Sequence, residues 1–527
     1  PMAAHALVKL HVVLAGMHEN ELETFIQMQS LPGSPAYGHY LTPQEFGAYF
    51  GASPAAYAHA IGMLRASGFT IVDVANNRRD IVVQAPAPVV SAFFQTPLDV
   101  HLDGARSFYA ARYAPVIPAE LHAEIVTGLD NYHVLHSHMH VRPHAYAGGG
   151  FSWGPADLAV GYDLNPLYAA GLTGKGITVA NATSGAATAS DLIGFEKQFK
   201  LPAVKFVSVP IDGPLTPAGN GESTLDVDSA TAVGRNITFE QVVAHTTANN
   251  DFDDVYKYIV DTLGSSVHVV TTSWGSCEQS QSASEQALDN TYFKQAVTEG
   301  QWWFAAAGDG GTDDCADGTK ALSVDFPGSS PYVVSVGGSN VHGTISNNNV
   351  TGWKSESVWS YGNCQYYGAG SNGAGGGGKS ISYTKPSYQT ALTPHDGRRD
   401  VPDVSLIADD VNDGVFVYQS PYGIQPGNGG TSEAAPQWAG LFAMIEQKKG
   451  NYKSVVDPHV RLYQMGAPST RAKYFHDVVG ASNGVPTCAK SAGLDPYGVF
   501  AGYNAVTGYD LASGIGSYIG YPLVEGY

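Results

Sequence analysis

From residue 157 onward, apolar strand candidates at 176–180, 204–209, 267–272, 303–307 and 333–337 alternate with helical segments. That alternation restricts this part of the chain to a mostly parallel sheet with helices on both faces, an α/β fold. Such a sheet gathers functional side chains at the carboxyl ends of its strands. With 527 residues the chain exceeds one ordinary core, so a second buried interior is expected. It is read in residues 1–141 as a small α+β unit. A strand at 7–14 is followed by helices at 20–30 and 54–67, strands at 70–74 and 80–83, a helix at 88–94 and a strand pair at 98–102 and 107–110. Between the two helices, Thr42 and Pro43 sit as cap and first residue of a further helix start. Residues 142–152 then read as a linker, loosest at Gly148-Gly149-Gly150.

Charge narrows the function. A formal net charge of −20 argues against nucleic acid as a partner, which needs a basic footprint. No apolar run approaches the ~20 residues of a membrane span, and the opening stretch is interrupted by His5, Lys9 and His11, so neither a membrane anchor nor a secretion signal is read. Charged residues make up only 14%, with 30 tyrosines and 62 glycines taking up surface.

Three short motifs carry chemistry. Gly-Gly-Thr-Ser-Glu-Ala-Ala-Pro at 429–436 sets Ser432 after a glycine-rich turn at the start of a helical stretch, a suitable place for a nucleophile. A serine hydroxyl needs a base. The nearest histidine motif, Val-Ala-His-Thr-Thr around His245, lacks the glycine of a subtilisin-type base, but Glu222 and Asp226 stand four residues apart and share a face if their stretch is helical. Asp309 ends the apolar run 304–307 on a glycine turn. Singly, each of these reads as readily as solvated surface, turn or helix cap.

Together they resemble the sedolisins, the serine-carboxyl peptidases, in which glutamate replaces the histidine of subtilisin. The resemblance rests on Gly430, Thr431, Ser432 and Pro436, on the Glu222/Asp226 pair, and on Ala-Gly-Asp-Gly-Gly around Asp309. Ser273-Trp274-Gly275, Asp325-Phe326-Pro327 and Val401-Pro402-Asp403 extend it over nearly the whole chain. It implies a subtilisin-like catalytic domain at 153–527 behind a ferredoxin-like inhibitory propeptide at 1–141 and an activation linker at 142–152. Ser432 would be the nucleophile, Glu222 the base, Asp226 its partner and Asp309 the oxyanion donor, with Ser273, Trp274 and Gly275 binding substrate. An acid form of Asp309 and a carboxylate base coexist only in acid, so an acidic optimum is expected.

The resemblance further implies a secreted monomeric endopeptidase in zymogen form, acting on proteins and peptides and held by its own propeptide. It also implies one structural Ca²⁺, with carboxylates from Asp477 and Asp510 and carbonyls from Val478, Val506 and Gly508. Glycine is usual in the family where Val506 stands, and the glutamate some relatives place after the first catalytic strand is missing from 177–182. Export makes two disulfides the expectation, Cys277 with Cys315 and Cys364 with Cys488, against the alternative of four reduced thiols. A tripeptidyl exopeptidase on the same scaffold and a non-catalytic secreted binding protein stay open. A pepsin-type enzyme would need two copies of Asp-(Thr/Ser)-Gly; Asp309-Gly310-Gly311 is the nearest match, and it has no second copy. Finally, 12 of the 18 histidines fall in residues 1–150. Their protonation below about pH 6 is expected to loosen the propeptide and permit self-cleavage within 146–152; the alternative is that His136, His138 and His140 form a solvated strand face.

Overall fold

The computed structural model describes residues 1–527 except 142–150, 218–220, 316–321, 348, 361–372 and 486–500. The chain forms two compact units that interleave in sequence. One comprises Pro1–Leu135, Thr246–Ser266 and Gln281–Gln301; the other comprises His136–His245, Val267–Ser280 and Trp302–Tyr527.

In the first unit a four-stranded sheet runs in the order Thr70–Val74, Asp80–Pro86, Leu7–Leu14, Ala123–Thr127. Every neighbouring pair is antiparallel, which is the ferredoxin-like order. Alternate residues Val8, Leu10, Val12 and Leu14 face a core completed by Ile81, Val83, Ala60, Leu64 and Phe94, as period-two patterning requires. The cap expected at Thr42 is a full capping box, its hydroxyl accepting from the Glu45 amide while Glu45 accepts from the Thr42 amide. The strand Ala123–Thr127 escaped the sequence reading because it is short and opens on an alanine and a glutamate.

Helices Asn249–Lys257 and Ala283–Glu299 belong to this unit and bring a polar layer with them. His11 is fully buried there, its Nδ1 2.8 Å from Asp80 Oδ2 and its Nε2 3.5 Å from Asp254 Oδ1. Burial alone would lower its pKa, but the charges of Asp80 and Asp254 push it up to about 10. His11 is thus already cationic at neutral pH and is not among the histidines that acid would charge. Beside it, burial pushes Glu285 up to about 7 and raises Asp253 and Asp289 well above the carboxylate range.

The second unit is built on an eight-stranded sheet. Along it run Lys205–Pro210, Thr238–Ala244, Thr178–Ser184, Val269–Thr272, Trp302–Ala306, Val334–Ser346 and Asn349–Val358, with Val404–Ile407 also beside Val334–Ser346. All pairs are parallel except the one made by Asn349–Val358. The five strands expected from the sequence are present, with shifted ends. Thr238–Ala244 was missed because Glu240 and Gln241 break its apolar run.

Two helices position the chemistry. Every residue of Glu222–Val233 is buried, and Thr431–Lys449 is buried as far as Glu446. A helix buried all round needs a close-packed partner, and small residues supply it. A Cβ on Gly440 would stand 2.7 Å from the Ala230 carbonyl oxygen and 3.0 Å from the Gly234 amide nitrogen, so the two backbones nearly touch. Cys277 and Cys315 are joined in a disulfide with Cα atoms 4.8 Å apart, as expected. Cys364 and Cys488 lie outside the described residues. No helix among the described residues is long and apolar enough to cross a membrane.

Candidate active site

The paired helices bring Glu222, the first residue of one, and Ser432, the second residue of the other, into the same buried neighbourhood. The Ser432 hydroxyl acts on the Glu222 carboxyl, favouring its ionised form, while forming no hydrogen bond of normal geometry. Asp226, one turn further along, is held from two sides. Its Oδ2 accepts from Asn181 Nδ2 at 2.8 Å and its Oδ1 from Ser273 Oγ at 2.6 Å. Burial raises both carboxyls, Asp226 to about 7 and Glu222 well above its usual range, with the Asp226 charge adding to the rise of Glu222. Such a pair shares a proton and titrates as a unit.

Asp309 follows the strand Trp302–Ala306 across Gly308, whose φ is +97°. Its Oδ1 accepts from the Thr431 amide at 2.8 Å and the Thr431 hydroxyl at 2.7 Å. That leaves Oδ2 for a proton. Burial pushes Asp309 up to about 7, against the opposing charge of His138 and the Thr431 hydrogen bonds. The neutral acid can then donate to an oxyanion.

The cleft carries a segment of the chain itself. Residues His136–Ser137 pair antiparallel with Trp274–Cys277, aligning Ser137 with Trp274 and His136 with Gly275. The His138 amide donates to the Ser273 carbonyl at 3.1 Å, and the His138 carbonyl accepts from the Ser432 amide at 3.3 Å. Beyond it, His140–Val141 pairs antiparallel with Gly423–Gly429, aligning His140 with Gly429. Main-chain pairing on both walls is the strand-addition mode of peptide recognition. Ser273, Trp274 and Gly275 thus line the groove by their backbones, and Ser273 also holds Asp226.

Gly430, with φ +96°, is shaped by this segment. A Cβ there would collide with the His138 carbonyl oxygen and crowd Asp309 Oδ2, so both oxygens border the same point. Gly430→Ala is therefore expected to unseat residues 136–141 as well as strain the turn, the latter by about 1–2 kcal/mol. A variant that folds, by circular dichroism, but whose residues 136–141 become open to limited proteolysis would meet that expectation; unchanged protection would contradict it.

Several participants were invisible in the sequence. Ser137 donates to Glu222 Oε2. His138 is buried, its Nε2 3.2 Å from Asp325 Oδ2, and His140 Nε2 lies 3.4 Å from Asp309 Oδ2. The expectation of a solvated histidine face over 136–140 is thereby corrected: only His136 is exposed. Burial pushes His140 down to about 4, assisted by His138. Asn181 falls in the stretch noted for lacking a glutamate, and it is the residue that reaches Asp226. The only advance signal was a polar residue in the middle of an apolar strand.

The residues expected around calcium come together far along the chain. Gly508 donates its amide to Asp477 Oδ1 at 3.3 Å and Val506 to Asp510 Oδ2 at 2.8 Å, while Val478 bridges to Glu356. Arg471 pairs with Asp477 at 3.0 Å. Asp477 and Asp510 thus each accept from an amide of the 506–508 stretch, and carboxylates are ligands a hard cation accepts, with the Arg471 guanidinium as a competing charge.

Residues 1–132 match the family Pro-kumamolisin, activation domain, and residues 231–463 match the Subtilase family. Fold and site therefore define a subtilisin-like chain carried behind an activation domain. It is 29% identical over 564 aligned residues to xanthomonalisin of Xanthomonas sp. (strain T-22), covering 97% of this chain and 64% of that protein. It is 28% identical over 539 to sedolisin of Pseudomonas sp. (strain 101), covering 98% of this chain and 85% of that one. The solved structure of Pseudomonas sedolisin, a serine-carboxyl proteinase complexed with two molecules of pseudo-iodotyrostatin, matches with a TM-score of 0.61 at 28% identity, over 72% of this chain and 98% of that one. Over nearly its whole length the chain is similar to the sedolisins, and its first 132 residues match the activation domain of that kind of precursor.

Proposed function

We propose that this chain is the precursor of a secreted, acid-acting serine-carboxyl endopeptidase. The observation that carries the reading is the convergence of Ser432, Glu222, Asp226 and Asp309 beneath a peptide segment paired on both sides. Glu222 takes the Ser432 proton as the hydroxyl adds to a peptide carbonyl, and passes it to the departing amine. Asp226, braced by Asn181 and Ser273, fixes Glu222 and shares its proton. The Ser432 amide and the neutral Asp309 acid hold the oxyanion. Water then hydrolyses the acyl ester by the same route. The chain passes continuously through the groove, with paired residues before and after His138, and this favours internal cleavage over removal of amino-terminal tripeptides. Substrates are proteins and peptides, the propeptide is the built-in inhibitor, and the working form is a monomer without nucleic-acid or membrane partners.

A peptide aldehyde added to the acid-matured protein tests the reading. A covalent adduct mapped to Ser432, with inhibition of casein digestion, is expected; casein digestion that survives Ser432→Ala would refute it. One Ca²⁺ would be held by the carboxylates of Asp477 and Asp510 with the carbonyls of Val478, Val506 and Gly508, supplying local rigidity. Added calcium is expected to raise the melting temperature by a few degrees through mass action. Asp510→Asn should abolish the difference, as measured by scanning calorimetry with and without chelator. An equal melting temperature in both would remove the ion from the proposal.

A further inference from the structure

Resting on the reading above and deepening it, we infer that the first bond this precursor cuts in itself is His138–Met139. The sequence pointed to 146–152, most of which lies outside the described residues, whereas the segment lying in the cleft is 136–141.

Four independent contacts fix the register. The His138 amide reaches the Ser273 carbonyl and the His138 carbonyl reaches the Ser432 amide, so this carbonyl is the one held at the nucleophile's own residue. The space left by Gly430 joins that carbonyl oxygen to Asp309 Oδ2, the second oxyanion donor. On the amine side, His140 is held against Gly429, three residues before Ser432. Side-chain seating agrees: His138 is buried with Nε2 3.2 Å from Asp325 Oδ2, an anchor that a one-residue slip would break.

Ser137 completes the geometry as a positioning residue. Its hydroxyl donates to Glu222 Oε2 and accepts the Met139 amide at 3.3 Å, so the scissile nitrogen is one hydroxyl away from the base. The step balances simply. Ser432 Oγ bonds to the His138 carbonyl carbon and yields its proton to Glu222. The carbon–nitrogen bond to Met139 breaks as that proton reaches the nitrogen. Water splits the resulting ester, leaving a His138 carboxyl terminus and a Met139 amino terminus.

Precursor purified at neutral pH and shifted to about pH 4 tests this, followed by intact mass and amino-terminal sequencing over time. The earliest new terminus is expected at Met139, at a rate independent of precursor concentration and absent in Ser432→Ala. Met139→Pro removes the scissile amide hydrogen and its Ser137 contact, and is expected to slow this cut on the order of 100-fold, the scale of a misplaced reacting group. An earlier terminus elsewhere, with Ser432-dependent cleavage continuing, overturns the inference and leaves the peptidase reading intact. So does cleavage after His138 at the wild-type rate in the Met139→Pro variant. No Ser432-dependent cleavage of precursor or casein at any pH overturns both.

Discussion

Glu222→Gln in the matured protein is expected to lower kcat/KM on casein-derived peptides by on the order of 10,000-fold or more, and Ser432→Ala by a similar or larger factor. The amide keeps the size of Glu222 and its contacts with Ser137 and Asp226, but cannot accept the hydroxyl proton. Because base and nucleophile act as one unit, the double variant should be scarcely worse than either single one. Asp226→Asn tests the brace: Asn181 already donates to Asp226 Oδ2, and an asparagine there sets two amides against each other unless one turns over. Progress curves on a fluorogenic peptide, with enzyme at micromolar level, would register these losses. Glu222→Gln activity within tenfold of wild type would mean that another group takes the proton.

The second large effect is on pH. Asp309 must be neutral to donate, and burial pushes it up to about 7, as it does Asp226. A carboxyl raised in this way is fully protonated below its ordinary value of 3.8 and loses its proton as pH climbs through 7. Activity should therefore vanish across neutrality, and on the acid side it should fall again where the raised Glu222/Asp226 pair takes up its second proton and can no longer act as base. Once residues 136–141 have left and water enters the cleft, desolvation weakens and the fall moves to lower pH. Asp309→Ala should cost about 100- to 1,000-fold at the optimum, the usual value of one oxyanion donor. Asp309→Asn should instead flatten the alkaline limb, because an amide donates at every pH. The sign for stability is the same. Glu285 and Glu446, each raised to about 7 by burial, favour the folded chain below their ordinary values and cease to do so as pH rises past 7. A melting temperature higher at pH 8 than at pH 5 would contradict this.

The residues of the site that could be found in the sequence were those whose chemistry is local. Ser432 follows its glycine turn directly, Glu222 and Asp226 need only a single helical turn to align, and Asp309 stands where an apolar strand ends. Asn181, Ser137 and His138 act through neighbours 45, 85 and 294 positions away, and no local pattern marks such partners. Strands followed the same rule. Leu7–Leu14 shows its inward face by alternation, whereas Thr238–Ala244 hides a central position behind Glu240 and Gln241. The linker was placed by its glycines, but what lies in the cleft is decided by main-chain pairing, to which side-chain composition is nearly blind.

The polar layer around His11 bears on what acid can and cannot do to the precursor. His11 and Glu285 each hold a proton more firmly when residues 1–135 cover the helices 246–266 and 281–301 than when water reaches them. Uncovering those helices therefore expels protons, and an acidic medium opposes their expulsion. Lowering the pH by itself tightens the packing of residues 1–135 on those helices. On the function proposed above, liberation of the enzyme would then depend on covalent severing and on digestion of the detached piece, which would give the process a direction that a reversible titration lacks.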